Sequence, residues 1–285
     1  MSGSALRPGA PAAHRPPGDA AGSRSFPATP VPGWGSRFPW LRAGTTRGAE
    51  GTDGVPSAAE SAPAGTRPEA RGSGGGAGAD ESRFDPAVPP LRDMLALTPG
   101  SPWRSAVGSR QVHGSRTRTM KDAAAGPKVA GEGDGHVTRV PGVLLTVAVA
   151  DCVPVFVADP VRRAVGLLHA GWRGTAAGVV ESGVAALGEA FGSRPADMAV
   201  HLGPAVCGEC YEVGPEVFRA LGEPVPATRR PIDLRRVVGR RAAASGVREE
   251  GVSVSRECTL CGDGGYFSHR RGDAGRQRAF IGIVA

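Results

Sequence analysis

Three short apolar runs in the second half of the chain have the residue pattern of buried β-strands. The runs at 143–149, 153–157 and 164–169 are rich in β-branched and other apolar residues, which favour strands. After them, apolar residues recur at spacings of three and four between 179 and 191, which predicts an amphipathic helix with Thr175 as its N-cap. Cys152 then lies between two strands, and His169 lies at the end of a third.

The remaining segments mix strands and helices without a regular alternation. Apolar runs predict further strands at 197–202, 252–258 and 279–284, and short helices are predicted at 90–97 and 215–221. The pattern therefore predicts an α+β fold in which mixed β-sheets are flanked by helices. The connections are too irregular for a doubly wound sheet.

One more amphipathic helix is predicted from Leu234 onward. Asp233 is a typical N-cap residue and Gly246 a typical stop. The arginines of this helix are placed on its solvated face, opposite the apolar positions. They are Arg235, Arg236, Arg240 and Arg241.

The first 80 residues differ in composition from the rest. They contain 11 Pro and 16 Gly, and such a segment buries too little apolar surface to fold by itself. Residues 1–80 are therefore interpreted as a mostly disordered leader and insertion, within which 33–47 is the piece expected to pack on the folded part. Residues 81–285 form the single predicted catalytic domain, which is a usual size for one domain.

Charge and composition argue against nucleic acid and membrane as partners. The net charge of +7 arises from 34 basic residues interspersed with 27 acidic ones, and aromatic residues that could stack bases make up only 5% of the chain. Neither a run of about 18 apolar residues nor a secretory signal is evident. Five cysteines, an odd number, fit reduced thiols or metal ligands. We expect a cytoplasmic protein, and its oligomeric state is left open.

Two motifs bring metal-binding and anion-binding residue types together. Cys152 offers a thiolate, and His169 offers an imidazole just before a glycine-containing turn. Because that turn leads into a helix, its N–H groups at Gly174 and Thr175 are predicted to bind phosphate. Arg173 adds a planar fork suited to bidentate contact, although a surface arginine is an equal alternative.

The motifs occur in the order in which they appear in the laccase-domain family, which this sequence resembles densely over residues 109–285. That family was first described as multicopper polyphenol oxidoreductase and later as purine nucleoside phosphorylase. A weaker similarity lies at 44–47. The matching motifs are those at 111–114, 134–138, 150–154, 169–175, 203–205, 210–213 and 267–271.

The resemblance implies a fold, a metal and a reaction. The fold would be similar to the catalytic domain of cytotoxic necrotizing factor. The metal would be Zn²⁺, with copper as an alternative, bound by His113, Cys152 and His169. Three protein ligands leave one tetrahedral position open, which is the pattern of catalytic zinc. The implied partners are phosphate and the purine nucleosides adenosine, inosine, guanosine and methylthioadenosine, with deamination of adenosine as a second reaction.

Further roles are assigned around this centre. Cys152 and His169 are predicted to be catalytic as well as metal-binding, and Asp151 is a candidate proton carrier with Asp134 as the other. If the strand continued through Asp151, its side chain would point away from Cys152 and its role would be structural. Arg270 and Arg276 are candidates to assist phosphate binding. His269 stands where tyrosine is commoner in the family.

Other hypotheses remain open at this point. Cys152 and His169 could form the nucleophile and base of a hydrolase, for example one acting on peptidoglycan precursors. Copper-dependent phenol oxidation is another, but six histidines are few for a multicopper enzyme. A second, structural metal is a third possibility, because two C-x-x-C pairs are present. These are Cys207 with Cys210, and Cys258 with Cys261.

Overall fold

The fold consists of two packed β-sheets with helices on the outer faces. The computed structural model describes residues 28–47, 91–94 and 101–284. Most of residues 1–80, for which disorder was predicted, lies outside these ranges, and only residues 28–47 of that segment are described.

Strands account for most of the regular structure in the described residues. They are β1 (Ala28–Pro30), β2 (Leu41–Thr46), β3 (Ser105–Arg110), β4 (Thr117–Met120), β5 (Gly126–Glu132), β6 (Gly135–Thr138), β7 (Val143–Val149), β8 (Val153–Asp159), β9 (Ala164–Ala170), β10 (Ala199–Leu202), β11 (Glu212–Val213), β12 (Arg230–Pro231), β13 (Val252–Val254) and β14 (Gln277–Ile283). The helices are α1 (Trp34–Arg37), α2 (Leu91–Met94), α3 (Trp172–Ala176), α4 (Val179–Phe191), α5 (Pro215–Leu221) and α6 (Leu234–Ala244).

Both large sheets contain parallel and antiparallel pairs. One has the order β1-β2-β14-β7-β3-β5 and the other the order β13-β10-β8-β9-β6-β4, while β11 and β12 form a small third sheet. In the first sheet β3 runs parallel to β7, and in the second β8 pairs antiparallel with β9. The sheets are thus mixed and flanked by helices, which confirms the predicted α+β class.

Side-chain alternation along the strands creates three apolar layers. Neighbouring residues of a strand point to opposite faces of its sheet. Leu145 of β7 and Phe156 of β8 lie in the central layer between the two sheets. Val155 points the other way, towards the layer that includes α4 and α6. Leu144 points outward against α2. Sheet-on-sheet packing therefore fixes where each strand end lies.

Most predicted elements are present, with shifted ends. The strand at 143–149 and the helix at 215–221 have the predicted bounds. The strand predicted at 252–258 ends at Val254, because the chain then leaves the sheet towards the Cys258 loop. The helix predicted at 90–97 is described only over Leu91–Met94. Residues 28–30, which the sequence placed in the leader, pair with β2.

Two helix predictions need correction. Thr175 is not an N-cap, because α3 begins after Gly171 and α4 begins separately after Gly178, whose φ of 88° breaks the helix between them. Arg235 does not lie on a solvated face. It is buried, and its guanidinium donates to the carbonyl oxygens of Ser255 and Glu257. Asp233 does cap α6, as predicted, by accepting from the N–H of Arg236.

No helix within the described residues is both long and apolar enough to cross a bilayer.

The packing between the sheets predicts a large cost for shortening Leu167. Leu167 of β9 is completely buried in the central layer, so Leu167→Ala should lower the free energy of unfolding by about 2–5 kcal/mol. Val161→Ala is the control, because Val161 is 64% exposed. Urea unfolding of both variants measures the difference, and equal midpoints would contradict the assigned core.

Candidate metal centre and its cavity

Three side chains from distant parts of the chain converge at one end of the two sheets. His113 follows β3, Cys152 lies between β7 and β8, and His169 is the second-to-last residue of β9. One potential ligand atom from each lies within 4.8 Å of the others. His169 is buried, Cys152 is half-buried and His113 is exposed. The structure thus brings together the three predicted metal ligands.

Strand pairing explains this convergence. Because β3 is parallel to β7, the turn after β3 and the connection after β7 lie at the same end of the first sheet. Because β8 is antiparallel to β9, the start of β8 lies beside the end of β9, and Pro154 pairs with His169. Gln111 then fixes the turn, since its amide donates to the carbonyl oxygen of Ala148 and accepts from the Ala148 N–H, at 2.8 and 2.7 Å.

Asp134 joins two of the three ligands. Its buried carboxylate accepts a hydrogen bond from Nδ1 of His169 at 2.8 Å. It also accepts from the backbone N–H groups of Val112, His113 and Gly114, at 3.2, 3.0 and 2.8 Å. These bonds hold His113 at its positive φ of 57° and direct Nε2 of His169 towards Cys152. Asp134 therefore positions the ligands, and its carboxylate is not among the residues that line the cavity.

Cys152 and His169 each shift the pKa of the other. Burial raises the pKa of the Cys152 thiol, but the His169 imidazolium and a hydrogen bond from His113 outweigh it and lower that pKa to about 6. Burial opposes the charge on His169, yet the Cys152 thiolate and Asp134 raise its pKa to about 9. Burial also raises the pKa of Asp134, but hydrogen bonds from His169 and Gly114 lower it overall. The two shifts favour a thiolate at Cys152, the form that binds metals, and a proton on His169 that a metal would displace from Nε2.

The donor set fits a single zinc ion. Zinc binds imidazole nitrogen and thiolate sulfur at about 2.0–2.3 Å, and ligand atoms within 4.8 Å of one another can share one ion. A carboxylate behind a metal-binding histidine, as Asp134 is behind His169, is usual in such sites. The two imidazoles and one thiolate also suit copper.

Gly171 leaves no room for a side chain beside the ligands. A Cβ at this position would lie 2.9 Å from Sγ of Cys152 and 3.1 Å from Cδ2 of His113. The absence of a side chain at Gly171 therefore lets both ligands occupy their observed places.

The ligands open onto a cavity of about 1290 Å³. Its charged lining is mainly basic, and the two acids that line it are Glu132, which pairs with Arg110, and Asp151. Such a lining favours anionic ligands. The lining arginines are Arg110, Arg173, Arg229, Arg270, Arg276 and Arg278.

The three arginines predicted to bind phosphate all line this cavity. Arg173 is exposed, and its guanidinium lies over the Trp172 ring at 4.4 Å. Arg270 lies over the Tyr211 ring at 4.7 Å. Arg276 donates to carbonyl oxygens of its own loop, including that of Gly275 at 2.7 Å. Their assignment to phosphate remains a prediction that this placement supports.

The other two predicted phosphate ligands are placed differently. Thr175 is completely buried, and its N–H donates to the carbonyl oxygen of Gly171 at 2.8 Å. A Cβ at Gly174 would lie 2.9 Å from the carbonyl oxygen of Gly114, so this glycine is packed under the His113 turn. Neither residue lines the cavity. The helix start from which their phosphate role was inferred lies at Gly171, earlier than predicted, so both residues are inside α3. Their phosphate role stays a prediction.

Asp151 lies in a bend with φ of 81°, so the strand does not persist through it. Its carboxylate accepts from Oγ1 of Thr259 at 2.6 Å and from the N–H of Arg270 at 2.7 Å. Asp151 thereby connects two other loops to the Cys152 segment. Its catalytic role stays a prediction, and these contacts favour a positioning role.

Sequence reasoning missed a buried basic residue in the cavity wall. Arg278 of β14 is buried, and its guanidinium donates to Oγ1 of Thr146 at 3.3 Å. The available signal was an arginine directly before the apolar run at 279–284, where a buried charge would require partners. Tyr211 was quoted only as part of a motif, although it also lines the cavity.

Comparison with known proteins identifies the family. Residues 85–284 match the family model described as multi-copper polyphenol oxidoreductase laccase. The chain belongs to this family. The resemblance inferred from the motifs is therefore confirmed.

Two named relatives and one crystal structure are similar to this chain over most of their length. The chain is 33% identical over 210 residues to purine nucleoside phosphorylase YlmD of Bacillus subtilis, covering 67% of this chain and 76% of that one. It is 32% identical to adenosine deaminase RL5 of an unknown prokaryotic organism, covering 67% and 79%. The crystal structure of a hypothetical protein YfiH from Bacillus licheniformis aligns with a TM-score of 0.66 at 25% identity, covering 90% and 96%.

Replacing Asp134 should weaken zinc binding. Asp134→Asn removes the charge and places an amide N–H₂ among the N–H groups of the His113 turn, so we expect about 10- to 100-fold lower zinc affinity. Asp159→Asn is the matched control, because Asp159 is equally buried but lies at the opposite end of β8. Competition against a zinc chelator measures both, and unchanged affinity in Asp134→Asn would contradict the role of this carboxylate.

A single methyl group at residue 171 should have a similar effect. Gly171→Ala forces Cys152 and His113 apart, and we expect zinc affinity to fall at least about tenfold while the fold is retained. Gly35→Ala is the control, since nothing lies within 4 Å of the Cβ position at Gly35. The same chelator competition, combined with circular dichroism, tests this. Equal affinities would show that the ligands are not confined by residue 171.

Proposed function

We propose that this protein is a zinc-dependent purine nucleoside phosphorylase that also deaminates adenosine. The convergence of His113, Cys152 and His169 at the wall of an arginine-lined cavity carries the proposal. The names of family members as phosphorylase and deaminase support both activities.

The arginines that line the cavity are suited to phosphate, the second substrate of phosphorolysis. Phosphorolysis needs a phosphate dianion held against C1′ of the nucleoside, so that a phosphate oxygen forms the new bond while the electrons of the C1′–N9 bond leave with the base. Arg173, Arg270 and Arg276 bind that phosphate in our proposal, because guanidinium groups match phosphate geometry. Their charges also keep the anion near the ribose until reaction, which lowers the entropic part of the barrier.

The metal ligands provide the remaining chemistry. A zinc ion, when bound, supplies a Lewis acid that polarises an oxygen of water or substrate. His113, Cys152 and His169 hold it, and Asp134 keeps Nε2 of His169 available by accepting from Nδ1. Tyr211 and Trp172 add apolar surface to the cavity wall for the purine.

A cysteine hydrolase is the second candidate function. Cys152, His169 and Asp134 form a chain in which the carboxylate orients the imidazole and the imidazole contacts the sulfur, as in nucleophile–base–acid triads. The position of His113 argues against a hydrolase. Its ring centroid lies 4.8 Å from that of His169, and a triad of this kind requires only one histidine. Copper-dependent phenol oxidation is less well supported, because multicopper enzymes bind their copper ions through many histidines and the sequence has only six.

The products formed from adenosine decide among these functions. The purified protein is incubated with adenosine with and without phosphate. Adenine and ribose 1-phosphate, formed only with phosphate, are expected from the phosphorylase, and inosine is expected from the deaminase. His113→Ala should abolish both reactions by removing a metal ligand.

Arg173→Ala supplies the matched test of the phosphate site. It should raise the KM for phosphate at least about tenfold and leave deamination unchanged. Arg37→Ala is the control, since Arg37 lies in α1 and is exposed. Absence of purine products, together with chelator-resistant and alkylation-sensitive hydrolysis of a peptide, would overturn the proposal in favour of the hydrolase.

A further inference from the structure

Four cysteines converge at a second place in the fold, separate from the metal centre. Cys207 and Cys210 lie in the loop after β10, and Cys258 and Cys261 lie in the loop after β13. Their four sulfur atoms all lie within 4.8 Å of one another. None of the four lines the large cavity, so this group is not part of the centre described above.

The fold brings the two loops together by strand pairing. Because β10 and β13 are parallel neighbours, the chain leaves both at the same end of the sheet. Ala205 and Cys258 then form an isolated parallel bridge. Arg235 of α6 binds the loop that carries Cys258 and Cys261, since its guanidinium donates to the carbonyl oxygens of Ser255 and Glu257 at 2.7 and 2.9 Å.

Each C-x-x-C pair forms a tight turn. The N–H of Cys210 donates to the carbonyl oxygen of Cys207 at 3.2 Å, and the N–H of Gly262 donates to that of Cys258 at 3.1 Å. Turns of this kind place both sulfur atoms of a pair on one side of the loop.

Backbone N–H groups surround the most buried sulfur. Sγ of Cys258 accepts from the N–H groups of Cys207, Leu260 and Cys261, at 3.2, 3.4 and 3.4 Å. Three donors directed at one sulfur stabilise a thiolate far more than a neutral thiol, which is a weak acceptor. Such contacts are those expected around a metal-bound cysteine, whose charge needs compensation.

The spacing matches a single tetrahedral ion. Zinc–sulfur bonds of about 2.3 Å place sulfur atoms about 3.8 Å apart at the corners of a tetrahedron. Sγ of Cys207 and Sγ of Cys261 are 3.9 Å apart. This distance is far from a disulfide bond of about 2.05 Å, and all five cysteines are free.

We propose that Cys207, Cys210, Cys258 and Cys261 bind one zinc ion as a closed structural site. Four cysteine ligands leave no position for substrate, so the ion stabilises rather than reacts. It fixes two loops beside the cavity. Tyr211, next to Cys210, lines that cavity, and Thr259, between Cys258 and Cys261, donates to the Asp151 carboxylate beside Cys152.

Metal content of variants at each centre tests the proposal. The full chain, purified with reductant, should contain about two zinc ions per molecule, and the double variant Cys207→Ser/Cys261→Ser about one. The matched variant His113→Ala/Cys152→Ser leaves the four cysteines intact, and it should also retain about one. Since this second variant does not alter the cysteine loops, the test holds even if the first variant fails to fold.

Cobalt substitution identifies the ligands of the retained ion. In His113→Ala/Cys152→Ser, Co²⁺ should give the intense sulfur-to-metal charge-transfer bands of a tetrathiolate site. Absence of metal from this variant would overturn the proposal, and so would a Cys207–Cys261 disulfide found by mass spectrometry in the wild-type chain. Wild-type protein that contains zinc only at the histidine centre would overturn it equally.

Discussion

The hydrogen bonding of the Asp134 carboxylate is the constraint on which the metal centre depends. This buried group receives Nδ1 of His169 and three backbone N–H groups of the His113 turn. The backbone carbonyl oxygen of Asp134 also accepts from the backbone N–H of His169 at 2.7 Å. A buried charge needs hydrogen-bond donors to be stable. The donors here belong to the two segments that carry His113 and His169. Folding and site assembly are therefore coupled through one side chain.

The two sheets provide the rigid part of this arrangement and the loops provide the rest. Parallel pairing of β3 with β7, and antiparallel pairing of β8 with β9, bring the three ligand segments to one end of the sheets. Asp151 then connects the ligand segment to Thr259 and to Arg270. The cavity thus combines candidate metal ligands at the ends of strands with six arginines, three of which (Arg229, Arg270 and Arg276) lie on loops. Such a lining favours anionic ligands.

Much of this structure could be predicted from the sequence, because its strongest signals are local. Short β-branched runs predicted β7, β8 and β9 and so placed Cys152 and His169 at strand ends. The position of His113 came only from family resemblance, since pairing of β3 with β7 is a long-range contact. The Thr175 cap was wrong because Gly178 interrupts the helical spacing, and Arg235 is buried because a distant loop covers it. Asp134 was weighed as a proton carrier, whereas its hydrogen bonds give it a positioning role that only the fold reveals.

Crystals of the zinc-loaded protein, measured with X-rays at the zinc absorption edge, test the central claim most directly. The account predicts an anomalous peak within bonding distance of Sγ of Cys152 and of one ring nitrogen each of His113 and His169, with Asp134 still bonded to Nδ1 of His169. A structure in which His113 turns away from Cys152, with no peak between them, would contradict it.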